Sequence, residues 1–422
     1  MNSRDRVRQA MDFVQPERVP VDFGAHRSSG IMAMAYANLR DYLGLPKRPL
    51  KVYDIPQQLA VLDEDILDLF HIDTIELGRG FCLDDSEWSP WVLPDGSECL
   101  IPSWVNPRKT TEGHWLVFGP DGKTPIAMQK KGVLYFETIH WPLEKTPHEL
   151  DRLADEIGFT MWAAPAMTSP PGPVSAVTEE GARYLTAGAR KLRESTDRAI
   201  VGLFGGNLFE LGQWLFGMEG FYVLLAGEPD LVNDYLDRLT AIHLRNLEAY
   251  LGAVGPYIDV IAFGDDYGMQ TGPQISPRMY KKYFKPRHER MWWRAKELAP
   301  VKVMLHSCGS FPEFLDDMID VGLDAFNPVQ ISSANMEPER LKAQFGGRIT
   351  FWGGGCDTQQ VIRSGTPQEI REHVLRNMEI FAPGGGFVFQ QVHNIMADIP
   401  PANVVAMFNA VAEFNGTETI AV

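Results

Sequence analysis

The sequence predicts an α/β protein, a (β/α)8 TIM barrel with a β-rich insertion after its second strand. Three observations carry this: eight apolar runs of strand length, amphipathic helical segments between them, and one stretch, residues 80–146, that breaks the rhythm. "ERVPVDFG" (17–24) is the first strand. The helical stretches "SSGIMAMAYANLRDYLG", which its two serines are expected to cap, and "LAVLDEDILDLFH" separate it from the second, "IDTIELG" (72–78). Residues 80–146 follow, with "PDG" turns between short aromatic and β-branched runs. Their place after the second strand puts them over the catalytic face, as a pocket wall or as a solvent-exposed elaboration. "MWAAPAMTSPPGPVSAVTEEG" (161–181) reads as a loop leading into the next helix.

Six further strands complete the count: "AIVGLFGG" (199–206), "IDVIAFGDD" (258–266), "VKVMLHSCG" (301–309), "LDAFNPVQ" (323–330), "RITFWGGG" (348–355) and "GFVFQQVHN" (386–394). Several of the helices between them, among them "SPRMYKKYFKPRHERMWWRAKELAP" and "TPQEIREHVLRNMEIFAP", open with Ser-Pro or Thr-Pro as N-cap and first-turn residue. A doubly wound open sheet is the alternative arrangement. Residues 1–422 are expected to form one barrel domain, with 80–146 as its insertion.

Composition narrows the function. A net charge of −16 argues against a partner made of phosphates, since nucleic-acid binders need a basic face. The N-terminal stretch carries no apolar core of signal-peptide length, and no run approaches the roughly 18 apolar residues of a membrane span, so a cytoplasmic protein is expected. The four cysteines, Cys82, Cys99, Cys308 and Cys356, are too few and too scattered for a disulfide framework and are expected as reduced thiols.

The chemistry gathers at strand ends. His306 and Cys308 lie two apart at the end of the fifth strand, so their side chains point to one side. Cys356 follows the seventh strand and His393 ends the eighth. Alone, His-x-Cys is a weak signal, because free cysteine is commonly buried without function. Convergence on the C-terminal face favours a metal site, and thiolate plus imidazole favour zinc, which keeps three protein ligands and one open position when catalytic. The reading leaves open whether Cys356, His393 or both complete the site. Asp265 and Asp266, at the end of the fourth strand, are candidates for proton or ligand handling together with His393, unless one of them caps a backbone segment. Arg27, after the first strand beside His26, and Asn394 are candidates for cofactor contacts. The "GGG" runs at 353–355 and 384–386 lack phosphate-binding spacing; they are expected to allow tight turns or leave room for a bulky ligand.

"QPERVPVDFG", "FGDDYGMQTGPQISPRMYKKYFKP", "HSCGSFPEFLDDMIDVGLDAFNPVQ" and "FAPGGGFVFQQVHNI" together resemble the uroporphyrinogen decarboxylase superfamily, which includes zinc-dependent methyltransferases working with corrinoid proteins. The methyltransferase branch has an H-x-C, matched by His306 and Cys308, and a further cysteine at the end of the eighth strand, where this chain has His393. The decarboxylase branch has an R-Q-A-G-R motif after the first strand; here "GAHRSSG" offers only Arg27, and the second strand ends "ELGRG". The resemblance therefore implies zinc, and methyl transfer between a small molecule (a methoxylated or N-methylated compound undergoing demethylation, or a thiol acceptor) and a corrinoid (cobalamin). No D-x-H-x-x-G corrinoid motif is present, so the corrinoid is expected on a separate partner protein. A metal-free decarboxylase-like tetrapyrrole enzyme and a non-catalytic corrinoid or tetrapyrrole carrier are the alternatives. Nucleic acid and membrane are not expected as partners, and homodimerisation is left open.

Overall fold

A computed structural model describes residues 1–162 and 177–421. The expected loop at 161–181 therefore lies largely outside the described residues. Seven strands form one parallel sheet in sequential order: Thr74–Glu76, Ala199–Gly205, Val260–Gly264, Lys302–His306, Ala325–Asn327, Thr350–Trp352 and Phe387–Val388. The first predicted strand supplies the closing stave. Val21 bridges in parallel to Phe389 on one side, and its carbonyl accepts the Asp73 N–H at 2.8 Å on the other. The sheet thus curls into a ring with no switch in strand order, which excludes the doubly wound alternative.

Alternation along the strands makes two cores. Ala199, Val201, Val260, Ala262, Met304, Ala325, Trp352 and Val388 point inward and fill the barrel, which Val7 and Met11 of the helix Ser3–Met11 close from below. The outward residues pack beneath the surrounding helices. Helix starts follow the anticipated chemistry. Ser276 accepts the Met279 N–H before Pro277, and Thr366 forms a reciprocal capping box with Glu369 before Pro367. A π-turn at Tyr280–Phe284 sits directly ahead of Pro286, whose missing N–H and bulky ring would break a regular helical ladder there.

Some local expectations differ. Ser28 and Ser29 do not cap the helix Ala33–Tyr42; they bond to His26 and Asp22 nearby in the chain and to Asn327 at the end of the sixth strand. Leu59–Ala60 is a strand pairing with Val52–Asp54, so the next helix is only Glu64–Leu69. The first "GGG" run leaves no room for a ligand: a Cβ on Gly353 would lie 2.0 Å from the Pro328 carbonyl oxygen.

Between residues 80 and 146 the chain forms an antiparallel pair, Trp88–Val92 with Glu98–Pro102, and a four-stranded antiparallel sheet from Arg108–Lys109 to Glu137–Thr138. In each "PDG" turn the aspartate accepts a backbone N–H two residues on, Asp95 from Ser97 and Asp121 from Lys123. All four cysteines are free thiols, and burial pushes Cys82 and Cys99 up to about 12. Among the described residues no helix is long and apolar enough to cross a membrane.

Candidate metal centre

A cavity of 460 Å³ opens at the C-terminal ends of the strands, with His306, His393, Asp266 and Glu210 in its wall. Ile157 and Trp162 also line it, whereas none of its described lining residues comes from 80–146. One ligand atom each from His306, Cys308 and His393 falls within 4.8 Å of the others. The Cys308 sulfur lies 3.5 Å from His306 Nε2, and the two imidazole centroids are 5.6 Å apart.

Neighbouring groups orient this trio. Asn327 ends the sixth strand, and its Nδ2 donates to the Trp352 carbonyl (2.8 Å) and to Gln390 Oε1 (2.6 Å). Its Oδ1 is thereby turned toward His306 and accepts from His306 Nδ1 at 2.7 Å. That bond places the proton on Nδ1 and leaves the Nε2 lone pair facing Cys308. Ser28 Oγ lies 2.9 Å from the same Asn327 oxygen and 2.8 Å from His26 Nδ1, and His26 Nε2 lies 3.3 Å from the buried Asp22 carboxylate. His393 is held at φ +64°, in the left-handed region where a non-glycine residue is uncommon.

The electrostatics suit a cation. Burial, with His306 and His26 nearby, pushes the His393 imidazolium down to about 3, so its ring is neutral and able to donate a lone pair. Burial also lowers His306. Burial and the Asp266 and Glu210 carboxylates push the Cys308 thiol well up. A dication would reverse that penalty, because it stabilises the thiolate that ligates it. Two imidazoles, a thiolate and an open cavity side fit a catalytic zinc.

The structure does not bring every candidate to this point. Cys356 is fully buried in the outer core, its sulfur 3.8 Å from the Asp357 carbonyl, and it is absent from the ligand cluster. Its backbone pairs with Gln391, so the side chain turns away from the mouth. Asp265 is structural: it accepts the N–H groups of Leu208, Phe209 and Glu210 and the Tyr267 hydroxyl, capping the helix Phe209–Phe216. Asp266 is the member of the pair that faces the cavity; its Oδ1 accepts the Cys308 N–H at 2.7 Å and lies 3.7 Å from His306 Nε2. Arg27 lines the cavity with its Nε 3.2 Å from Asp54 Oδ2. Asn394 is buried and spent on Gly30, Arg27 and Gln57, which ties two loops together and leaves it out of the cavity wall.

Sequence reading missed Glu210, Asn327 and the Trp162–Trp214 pair. The first two follow or end barrel strands, so the strand-end rule that found His306 reaches them too; nothing local marks the tryptophans.

The uroporphyrinogen decarboxylase (URO-D) family model matches residues 170–414. The uroporphyrinogen decarboxylase of Alkalilimnicola ehrlichii is 24% identical over 245 residues, 56% of this chain and 64% of that protein. That of Psychromonas ingrahamii is 27% identical over 194 residues, 44% of this chain and 50% of that protein. The chain thus matches between half and two thirds of these relatives' length. Among solved structures, a methyltransferase from Methanosarcina mazei superposes with a TM-score of 0.57 at 16% identity, covering 98% of this chain and 99% of that one, and so shares the fold. The chain belongs to the uroporphyrinogen decarboxylase family.

Proposed function

We propose that the chain is a zinc-dependent methyltransferase in which His306, Cys308 and His393 hold the metal and a methyl group passes between a small molecule in the cavity and a corrinoid on a separate protein. The observation that carries this reading is the convergence of three ligand atoms within 4.8 Å, two of them from His306 and His393 of the cavity wall. The metal, when bound, supplies Lewis acidity to an oxygen or sulfur of the substrate. Asn327 fixes the His306 tautomer, and Asp266 holds the Cys308 backbone. Burial and the Asp266 and Asp265 carboxylates push the Glu210 carboxyl well up, so it holds a proton that it can exchange with the atom gaining or losing the methyl.

Decarboxylation of a tetracarboxylate is the poorer reading. Arg27 is the one guanidinium among the described lining residues and is already paired with Asp54, while the Asp266 carboxylate opposes added negative charge. The test is metal analysis followed by spectroscopy. Purified protein is expected to hold about one zinc per chain, lost in His306→Ala, and to change the spectrum of a reduced corrinoid protein when a methyl donor is added. A folded wild-type chain that takes up no zinc refutes the proposal.

A further inference from the structure

The walls of the cavity differ in chemistry, and that difference narrows what enters, an inference resting on the metal-centre reading for where the reacting group lies. We propose that the cavity takes an uncharged aromatic ring and turns away carboxylate-bearing molecules of similar size.

One wall is aromatic and aliphatic. Trp162 and Trp214 stand with ring centroids 6.3 Å apart at 40°, and Phe204, Leu211 and Ile157 line the same space. Phe204 is held edge-on by Phe263, 5.4 Å between centroids, so that part of the wall is set before any ligand arrives. Rigid rings contact a planar ligand through offset or edge-to-face geometry, with little side-chain freedom lost on binding. A flexible aliphatic chain gains less from them.

The other wall is acidic. Asp266 and Glu210 both face the cavity, and the Arg27 guanidinium, the one such group among the described lining residues, is engaged by Asp54. An anion at that wall would lose its hydration and meet the Asp266 carboxylate and the Glu210 carboxyl. An ether or hydroxyl substituent meets hydrogen-bonding groups, the Glu210 carboxyl and the Asn246 amide. The 460 Å³ volume lies low in the range of about 300–1,000 Å³ usual for small-molecule sites, which suits a single substituted ring.

The full chain, dialysed against zinc, is titrated calorimetrically with 1,2-dimethoxybenzene, 3-methoxybenzoate and 1,2-dimethoxyethane. Dimethoxybenzene is expected to bind at least about ten-fold more tightly than either of the others. Trp214→Leu is expected to weaken it by a similar factor, and Asp266→Asn to narrow the gap to the benzoate. Equal or tighter binding of the benzoate or the aliphatic ether overturns the proposal, and this ranking is read on the wild-type chain whether or not the variants fold. Zinc content of the same samples separates the two readings. A chain that holds zinc but ranks the ligands otherwise overturns the ring preference alone. A chain without zinc overturns the metal reading, and its ranking still decides the ring preference.

Discussion

At the N-terminal end of the barrel, Asp259 receives Arg4, Arg8 and Arg193, and Asp73 receives Arg6 and Arg18. At the C-terminal end, Asp266 and Glu210 make no ion pair with lysine or arginine among the described residues, and both push the Cys308 thiol up. Both ends gather acidic groups in one continuous fold, yet Asp259 and Asp73 have arginine partners where Asp266 and Glu210 have none among the described residues. The lower network ties the helix Ser3–Met11 to strand starts and serves stability. The upper cluster is costly as it stands and becomes favourable when a cation arrives, the pattern of a binding site.

The sharpest way to break this comparison is to remove one side chain from each end. Cys308→Ala is expected to weaken zinc binding roughly a thousand-fold, one ligand's share of a three-ligand site, while metal-free stability stays within about 1 kcal/mol. Asp259→Ala is expected to do the reverse, costing about 3 kcal/mol by leaving three arginines without their partner, with zinc affinity unchanged. Urea unfolding and chelator competition on the same samples read both effects. Loss of zinc in Asp259→Ala would mean that the two ends are not separate.

A smaller effect tests the orienting bond. Asn327→Ala removes the acceptor for His306 Nδ1, and zinc affinity is expected to fall about 10–100-fold. Substitution by cobalt gives a second readout, since its visible spectrum reports a disturbed ligand geometry; an unchanged spectrum would assign Asn327 to packing alone.

Proton release sharpens the electrostatic side. The Cys308 thiol, pushed up by burial and then by Asp266 and Glu210, must lose its proton to ligate, so acid opposes binding. His393, pushed down to about 3, carries no proton to displace above pH 6, and burial lowers His306 as well. Affinity is therefore expected to rise about ten-fold per pH unit between pH 6 and 8, the slope of one released proton. A slope near two would place a second titrating ligand at the metal.

The fold was legible because each barrel strand is a run of β-branched and apolar residues bounded by turns, and the family's segments coincide with those runs. The closing first strand was the weakest structurally, a single bridge at Val21, yet its apolar pattern was as plain as the others. The candidate metal trio was half legible: His306 and Cys308 share a strand end, where a two-residue spacing fixes a common direction. Asp265 and Asp266 were not separable, because which of two adjacent carboxylates turns inward depends on the start of the helix Phe209–Phe216, more than fifty residues away in sequence.

Cys356 is the residue on which strand-end reasoning failed, and it gives the smallest and most discriminating prediction. Its position after the seventh strand suggested the mouth, but a register pairing with Gln391 turns its sulfur into the apolar layer between sheet and helices. Burial there raises the thiol further, so it holds its proton and behaves as a small hydrophobic side chain. Cys356→Ala is expected to cost about 1 kcal/mol in urea unfolding, the scale of a small cavity in a close-packed core, with zinc stoichiometry and affinity those of the wild type. Loss of zinc in this variant, with Cys308→Ala also losing it, would move the metal toward the seventh strand and make His393 its neighbour instead of its ligand.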